Sequence, residues 1–270
     1  MTRAVSRSAL AHIGREYLPP VAFGVLFIAV WYAIIIALRV PGFILPSPGA
    51  VVAAAVKNSG GLSHAILRTF LEAMGGFVLS VIVGVALALL MSQSKVIERS
   101  LYPYAVILQT IPIVAIAPVI IVWFGPGVPS ILTVSFILAL FPIISNTTLG
   151  LISTDHNLLN LMELNEASRS QLLVKLRIPY ALPYIMGGLR IASGMAVIGA
   201  IVGEFVGGIG GVQGGLGYLI VATASMLQMG YLFAAALAAC GMGILMFVAM
   251  NGVSYLMLRN WHESSVQREN

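Results

Sequence analysis

Nine carboxylates and four histidines are the chain's main candidates for chemistry, and their placing limits what that chemistry can be. His12, His64, His156 and His262 are scattered and show no metal-ligand spacing. Cys240 is the single cysteine, so no internal disulfide can form, and its apolar surroundings in the sequence point to a packed thiol. No G-x-x-x-x-G-K-[ST] occurs, and Lys57, Lys95 and Lys175 follow no glycine loop, so no phosphate cradle is expected. No clustered catalytic set emerges either. Two acids stand out because their neighbours are oily: Glu72 begins one apolar run and Glu204 ends another. At membrane depth such groups are candidates for a pathway or its gate. The plainer alternative, preferred for Glu72, has both near the outer interface and reaching water. The other polar concentration is "ELNEASRSQLLVKLRIPYALP", residues 163 to 183, where Glu163, Glu166, Arg169, Lys175 and Arg177 overlie a leucine pattern.

Composition decides what surrounds these residues. Charged residues are 9% and hydrophobic residues 59%, against about 25% charged in a soluble domain. With a mean hydropathy of +1.01, the main solvent is a bilayer. Residues 100–154 and 205–258 carry no formal charge, and each run is too long for one span of about 20 residues. The expected architecture is all-α: one polytopic transmembrane domain over residues 1–270, a bundle of about six spans. They are placed near 21–38, 70–91, 101–123, 129–150, 183–203 and 230–257. The first is read as an uncleaved helix. Pro103, Pro112 and Pro118 fall in the third, where prolines bend a helix and free carbonyls. Pro112 and Pro118 join the pathway candidates.

On this plan eleven of the 14 basic residues lie on one side, and only Arg39, Lys57 and Arg68 on the other. By the positive-inside rule both termini are cytoplasmic, as tails 1–19 and 259–270, and 151–182 is a cytoplasmic loop. The pI near 9.6 then records topology, not nucleic-acid binding. "VVAAAVK" reads as a short interfacial helix outside. Glycines recur at 199, 203, 207, 211 and 215, and Gly199 and Gly203 can admit a neighbouring helix closely. "GGIGGVQGGLG" reads as a flexible outer loop, and "LGYLIVATASML" after it is too short to span, so it is embedded or re-entrant.

The cytoplasmic loop reads as two short helices. "DHNLLNLMELNE" is amphipathic, a break follows at Asn165–Ala167, and Ser168 with Gln171 fits a capping box opening "RSQLLVKLR". Pro179 and Pro183 turn the chain into the fifth span. A passive pair on lipid headgroups is one reading. The acids Glu163 and Glu166 count against it, because the inner leaflet is anionic. A knob of charge and leucine suits a protein partner.

At these residues the chain resembles the permease of bacterial type I ABC importers, in the nitrate, sulfonate and taurine branch. Ala167, Ser168, Pro179, Leu182, Pro183, Gly188, Leu189 and Arg190 match the branch's loop. So do the blocks "LPSP" at 45–48, "PYAVILQTIPIVAIAPVIIVWFGPG" at 103–127, "FPIISNTTLGL" at 141–151 and "GEF" at 203–205. The chain departs where Glu166 replaces a usual glycine, and where Asn160, Leu161 and Met162 stand for Glu-Ala-Ala. The resemblance implies a type I importer permease fold in a bacterial inner membrane. It implies that Glu163, Asn165, Glu166, Ala167, Ser168, Arg169, Gln171 and Pro179 couple to an ATPase. It further implies two ATPase subunits carrying ATP and Mg, a second permease copy, and an extracytoplasmic solute-binding protein. The chain itself would hold no cofactor or metal and catalyse nothing. Nitrate, sulfonates, bicarbonate, pyrimidine precursors and flavins are the implied solute types. The rival is an ion-gradient-driven secondary transporter, which needs buried acids and often inverted repeats.

Overall fold

The structure, a computed structural model, describes the backbone of residues 2–208 and 214–259, and side-chain surroundings from residue 18 onward. The middle of the expected glycine-rich outer loop and most of the C-terminal tail lie outside the described residues. Among the described residues every regular element is a helix. In chain order these are α1 (Thr2–Leu38), α2 (Pro48–Lys57), α3 (Ser59–Gln93), α4 (Lys95–Thr110), α5 (Ile113–Phe124) and α6 (Val128–Ile152). Then come α7 (His156–Leu164), α8 (Arg169–Leu172), a π-helical turn (Leu173–Arg177), α9 (Ile178–Gly207), α10 (Leu216–Ser225) and α11 (Met229–Leu258).

Five of these are long and apolar enough to cross a membrane, and α4 with α5 makes a sixth candidate bent by 101°. The expected third span is therefore not a straight kinked helix. Pro112 clashes with a helical conformation at Ile111, which is extended at ψ 124°, and Pro112 itself follows at ψ 106°. Two extended residues in a row break the helix, and Pro112 becomes the start of α5. Pro103 and Pro118 stay inside α4 and α5. The fifth span also differs from expectation. Pro179 and Pro183 do not end a separate short helix; helix runs unbroken over Arg169–Gly207. The wide π turn just before Pro179 lets the ring, which lacks an N–H, enter without ending the helix.

The chain forms two compact units. In Met1–Ser59 with Thr223–Ala234, Trp31 packs edge-to-face with Phe27 and tilted against Phe233, with centroids 6.2 and 5.8 Å away. The Tyr32 hydroxyl accepts from Gly49 N–H at 3.2 Å, and Ser47 caps α2, the short helix expected at "VVAAAVK". None of the residues in the apolar stretch of α1 is buried, as suits a helix that faces lipid.

In the unit of Gly60–Ala222 with Ala235–Asn270, α6 and α9 pack closely along their length. A Cβ at Gly199 would sit 2.5 Å from Ser135 Cα, and one at Gly203 2.9 Å from Ile131 Cα. The glycine spacing expected to admit a close neighbour does so, and α6 is that neighbour. Ser135 Oγ donates to Ala196 carbonyl at 2.9 Å across the contact. Phe77, Ala139, Ile143, Met186, Ala192 and Ala196 bury the seam beside it. Cys240 is exposed on α11, where an apolar run had suggested a packed thiol; in a lipid-facing helix an apolar run need not be buried in protein.

Candidate functional site

Two polar constructions lie at opposite ends of α9. Roughly 50 Å of helix, from Arg169 to Glu204, separates them at 1.5 Å per residue.

The first is the elbow between α6 and α9. Asp155 caps α7 by accepting from Asn157 N–H at 2.7 Å. At the far end of α7, Ala167 N–H donates to Met162 carbonyl at 3.0 Å and Glu166 N–H to Glu163 carbonyl at 2.9 Å. That paired pattern is a Schellman motif, which needs a left-handed residue at the position of Glu166. Glu166 takes that conformation, with φ 53°. The glutamate thus adopts the positive φ for which a glycine would be ordinary, and the turn is not shifted along the chain. Asn165 adds a bond from its side-chain amide to Leu161 carbonyl at 2.7 Å. The expected capping box follows at once: Ser168 Oγ accepts from Gln171 N–H at 3.3 Å, and Gln171 Oε1 accepts from Ser168 N–H at 2.9 Å.

The two helix ends thus meet in a turn whose backbone bonds are all local. Glu163, Asn165, Glu166, Arg169 and Gln171 are exposed on it, and Leu164 is 82% exposed. Pro179 is set apart, past the π turn in α9. Arg177, which the sequence reading had counted only as charge, donates to Ser92 carbonyl at 3.0 Å and so ties this end of α9 to the last turn of α3.

The second construction is buried. Glu204, near the end of α9, is 2% exposed, and Glu72, on α3, is 5% exposed. Both were given a plainer reading as carboxylates reaching water, and the structure corrects it: helix packing closes over each. Thr69 Oγ donates to Glu204 Oε1 at 2.6 Å, and Gly217 N–H donates to Glu204 Oε2 at 2.6 Å. The same Thr69 oxygen accepts from Leu216 N–H at 2.8 Å. Leu216 and Gly217 open α10, so its first two amides are satisfied by side chains from α3 and α9. An anion at a helix N-terminus also complements its dipole. Charge-assisted bonds of this kind contribute about 1.5–3 kcal/mol each where water is excluded.

Glycine permits the approach. A Cβ at Gly215 would collide with Glu204 Oε1, and one at Gly217 with Ile201 carbonyl and Glu204. The Glu72 carboxyl lies within hydrogen-bonding reach of that of Glu204, so the two buried carboxyls can share one proton. Sequence reasoning missed Thr69. Its signal is a polar residue three positions before Glu72, on the same face of α3. Pro112 and Pro118 take no part in this cluster. Among the described residues no group of acids, histidines and cysteines could hold a metal ion.

The fold is that of a polytopic helical membrane protein, with a capped polar elbow at one end of its central helix and a buried acid cluster at the other. Residues 76–261 match the family of binding-protein-dependent transport system inner membrane components, and the chain belongs to that family. It is 35% identical over 246 residues to a formylaminopyrimidine transport permease protein, ThiX, of Halalkalibacterium halodurans, covering 90% of this chain and 96% of the relative. It is 34% identical to the riboflavin transport system permease protein RibX of Chloroflexus aurantiacus, over 88% of each. With a putative aliphatic sulfonates transport permease protein, SsuC, of Bacillus subtilis it shares 31% over 77% of this chain and 74% of the relative. The chain is thus an ABC importer inner-membrane permease, and the resemblance seen in the sequence is borne out.

Proposed function

We propose that this chain forms the translocation pathway of an ATP-driven importer of a small solute and receives its drive from a separate ATPase at the α7–α8 elbow. The observation that carries the reading is that elbow. It is exposed, doubly capped, studded with Glu163, Glu166 and Arg169, and presents Leu164 to solvent. A rigid knob of that kind is suited to a groove in a partner. Both termini and the elbow are cytoplasmic by the distribution of basic residues. Two copies of the chain form one membrane domain, with two ATPase subunits inside and a solute-binding protein outside; ATP and Mg belong to the ATPases. The relatives' names support an anionic or heteroaromatic solute, spanning pyrimidine and flavin compounds as well as sulfonates.

The test is reconstitution in proteoliposomes with the ATPase that co-purifies from the native membrane. Uptake should require ATP and stop with vanadate. Arg169→Glu with Ser168→Asp in the elbow should release the ATPase while leaving the membrane body folded. Uptake by the chain alone on an ion gradient would overturn the reading and restore the secondary-transporter alternative.

A further inference from the structure

Arg190 is a charge at membrane depth that neither the elbow nor the acid cluster uses. It lies between Arg169 and Glu204, roughly 32 Å from the first and 21 Å from the second along one unbroken helix. It is half-buried, and its Nη2 donates to Ser254 Oγ on α11 at 3.3 Å. Its Nε is buried and meets no acceptor. Among the described residues no carboxylate pairs with it. A cation at that depth, answered only by a neutral hydroxyl, is costly, and such a group is a candidate ligand or ion site by default. The surroundings leave room for a ligand. Gly187 and Gly194 stand three positions before and four after Arg190, so they share its face of α9. A Cβ at either would meet nothing within 4 Å. On α11, Asn251 is half-buried one turn before Ser254, on the same face.

We propose that Arg190 and Ser254 form a binding site, inside the membrane domain, for an oxyanion: a carboxylate, sulfonate or phosphate group. A planar guanidinium presents a fork of N–H donors that fits two oxygens of such a group. The outer, Nη edge of Arg190 is the reachable one, because Nε is closed in. Ser254 accepts from Nη2 and keeps its own proton to give to a bound oxygen. The oxyanion comes from a solute in transit or from a lipid headgroup. The solute source rests on the transport reading above, and the site itself does not.

The test uses the permease–ATPase complex in a maltoside detergent, which carries no phosphate, at fixed ionic strength. The probes are ethanesulfonate and phosphatidylglycerol. The readout is the unfolding temperature of the membrane domain, which a ligand bound to the folded state raises. In the unaltered complex at least one probe should give a saturating rise of about 3 °C or more. Arg190→Gln should lose it. A rise with ethanesulfonate assigns the site to a solute anion, and a rise with phosphatidylglycerol alone assigns it to lipid; both support the site. Binding to the ATPase is common to the two proteins and drops out of the comparison. Arg190→Lys guards against misfolding of R190Q. It keeps a charge but not the fork, and should need about tenfold more probe for half the rise. The site is overturned if neither probe gives a rise, if R190Q rises as far as the unaltered complex, or if R190K reaches half its rise at the same concentration. Uptake plays no part in this measurement. A flat response therefore sinks the site and leaves the transport reading, whereas ATP-independent uptake in vesicles sinks that reading and leaves the site.

Discussion

The elbow and the acid cluster solve the same problem, satisfying the free backbone groups at helix ends, by opposite means. At the elbow, donors and acceptors lie three to five residues apart and are exposed. At the cluster, Thr69 and Glu204 are 135 residues apart, and all the partners are buried. Water can replace any bond lost at the elbow, so each is individually weak and the turn keeps its shape by redundancy. No water replaces a bond lost at the cluster, so each is expensive to break and the geometry depends on distant helices staying in register. A motif of the first kind travels as a rigid piece. One of the second kind reports on the arrangement of the bundle.

Substitutions can break that contrast, and the largest effect belongs to the cluster. Gly217→Ala puts a methyl against Ile201 carbonyl and the Glu204 carboxyl, so α10 must move outward. A loss of about 2–3 kcal/mol is expected, as for other overpacked sites, read as a lower unfolding temperature in detergent. Glu204→Gln follows. Its amide can face only one of two donors with an acceptor, and about 1.5–3 kcal/mol should be lost by the same measurement. At the elbow Ser168→Ala removes one cap and should cost about 1 kcal/mol locally. It should appear as roughly fivefold faster amide exchange at residues 169–171, with no change in the unfolding temperature of the body. The smallest effect has the opposite sign. Glu166→Gly relieves a left-handed glutamate and should slow exchange across the turn, a gain of up to about 1 kcal/mol. An equal drop in unfolding temperature for Ser168→Ala and Glu204→Gln would erase the distinction between the two regions.

The same contrast explains what the sequence made legible. Ser168 and Gln171 stand at the spacing a capping box needs, so the elbow could be read without knowing any other part of the chain. Its positive φ could not be read directly, because Glu166 is not glycine and only the family's habit pointed to it. Span positions followed from hydropathy, and the close α6–α9 contact from Gly199 and Gly203. The break at Pro112 was underestimated because one proline usually kinks a membrane helix. Here the restriction on Ile111 adds a second extended residue. The cluster was illegible for a different reason. Glu204 and Glu72 were visible as acids, but Thr69 looks like any threonine in an apolar run. Its partners are backbone amides, which leave no mark on residue type.

The contact between Gly199 and Ser135 has one more implication. Helices whose main chains touch have no soft side chains between them to deform. The turn at Ser168 is rooted in both, one on each flank. A sideways push on it cannot be absorbed by prying the two shafts apart, so the pair has to tip together like a crank handle.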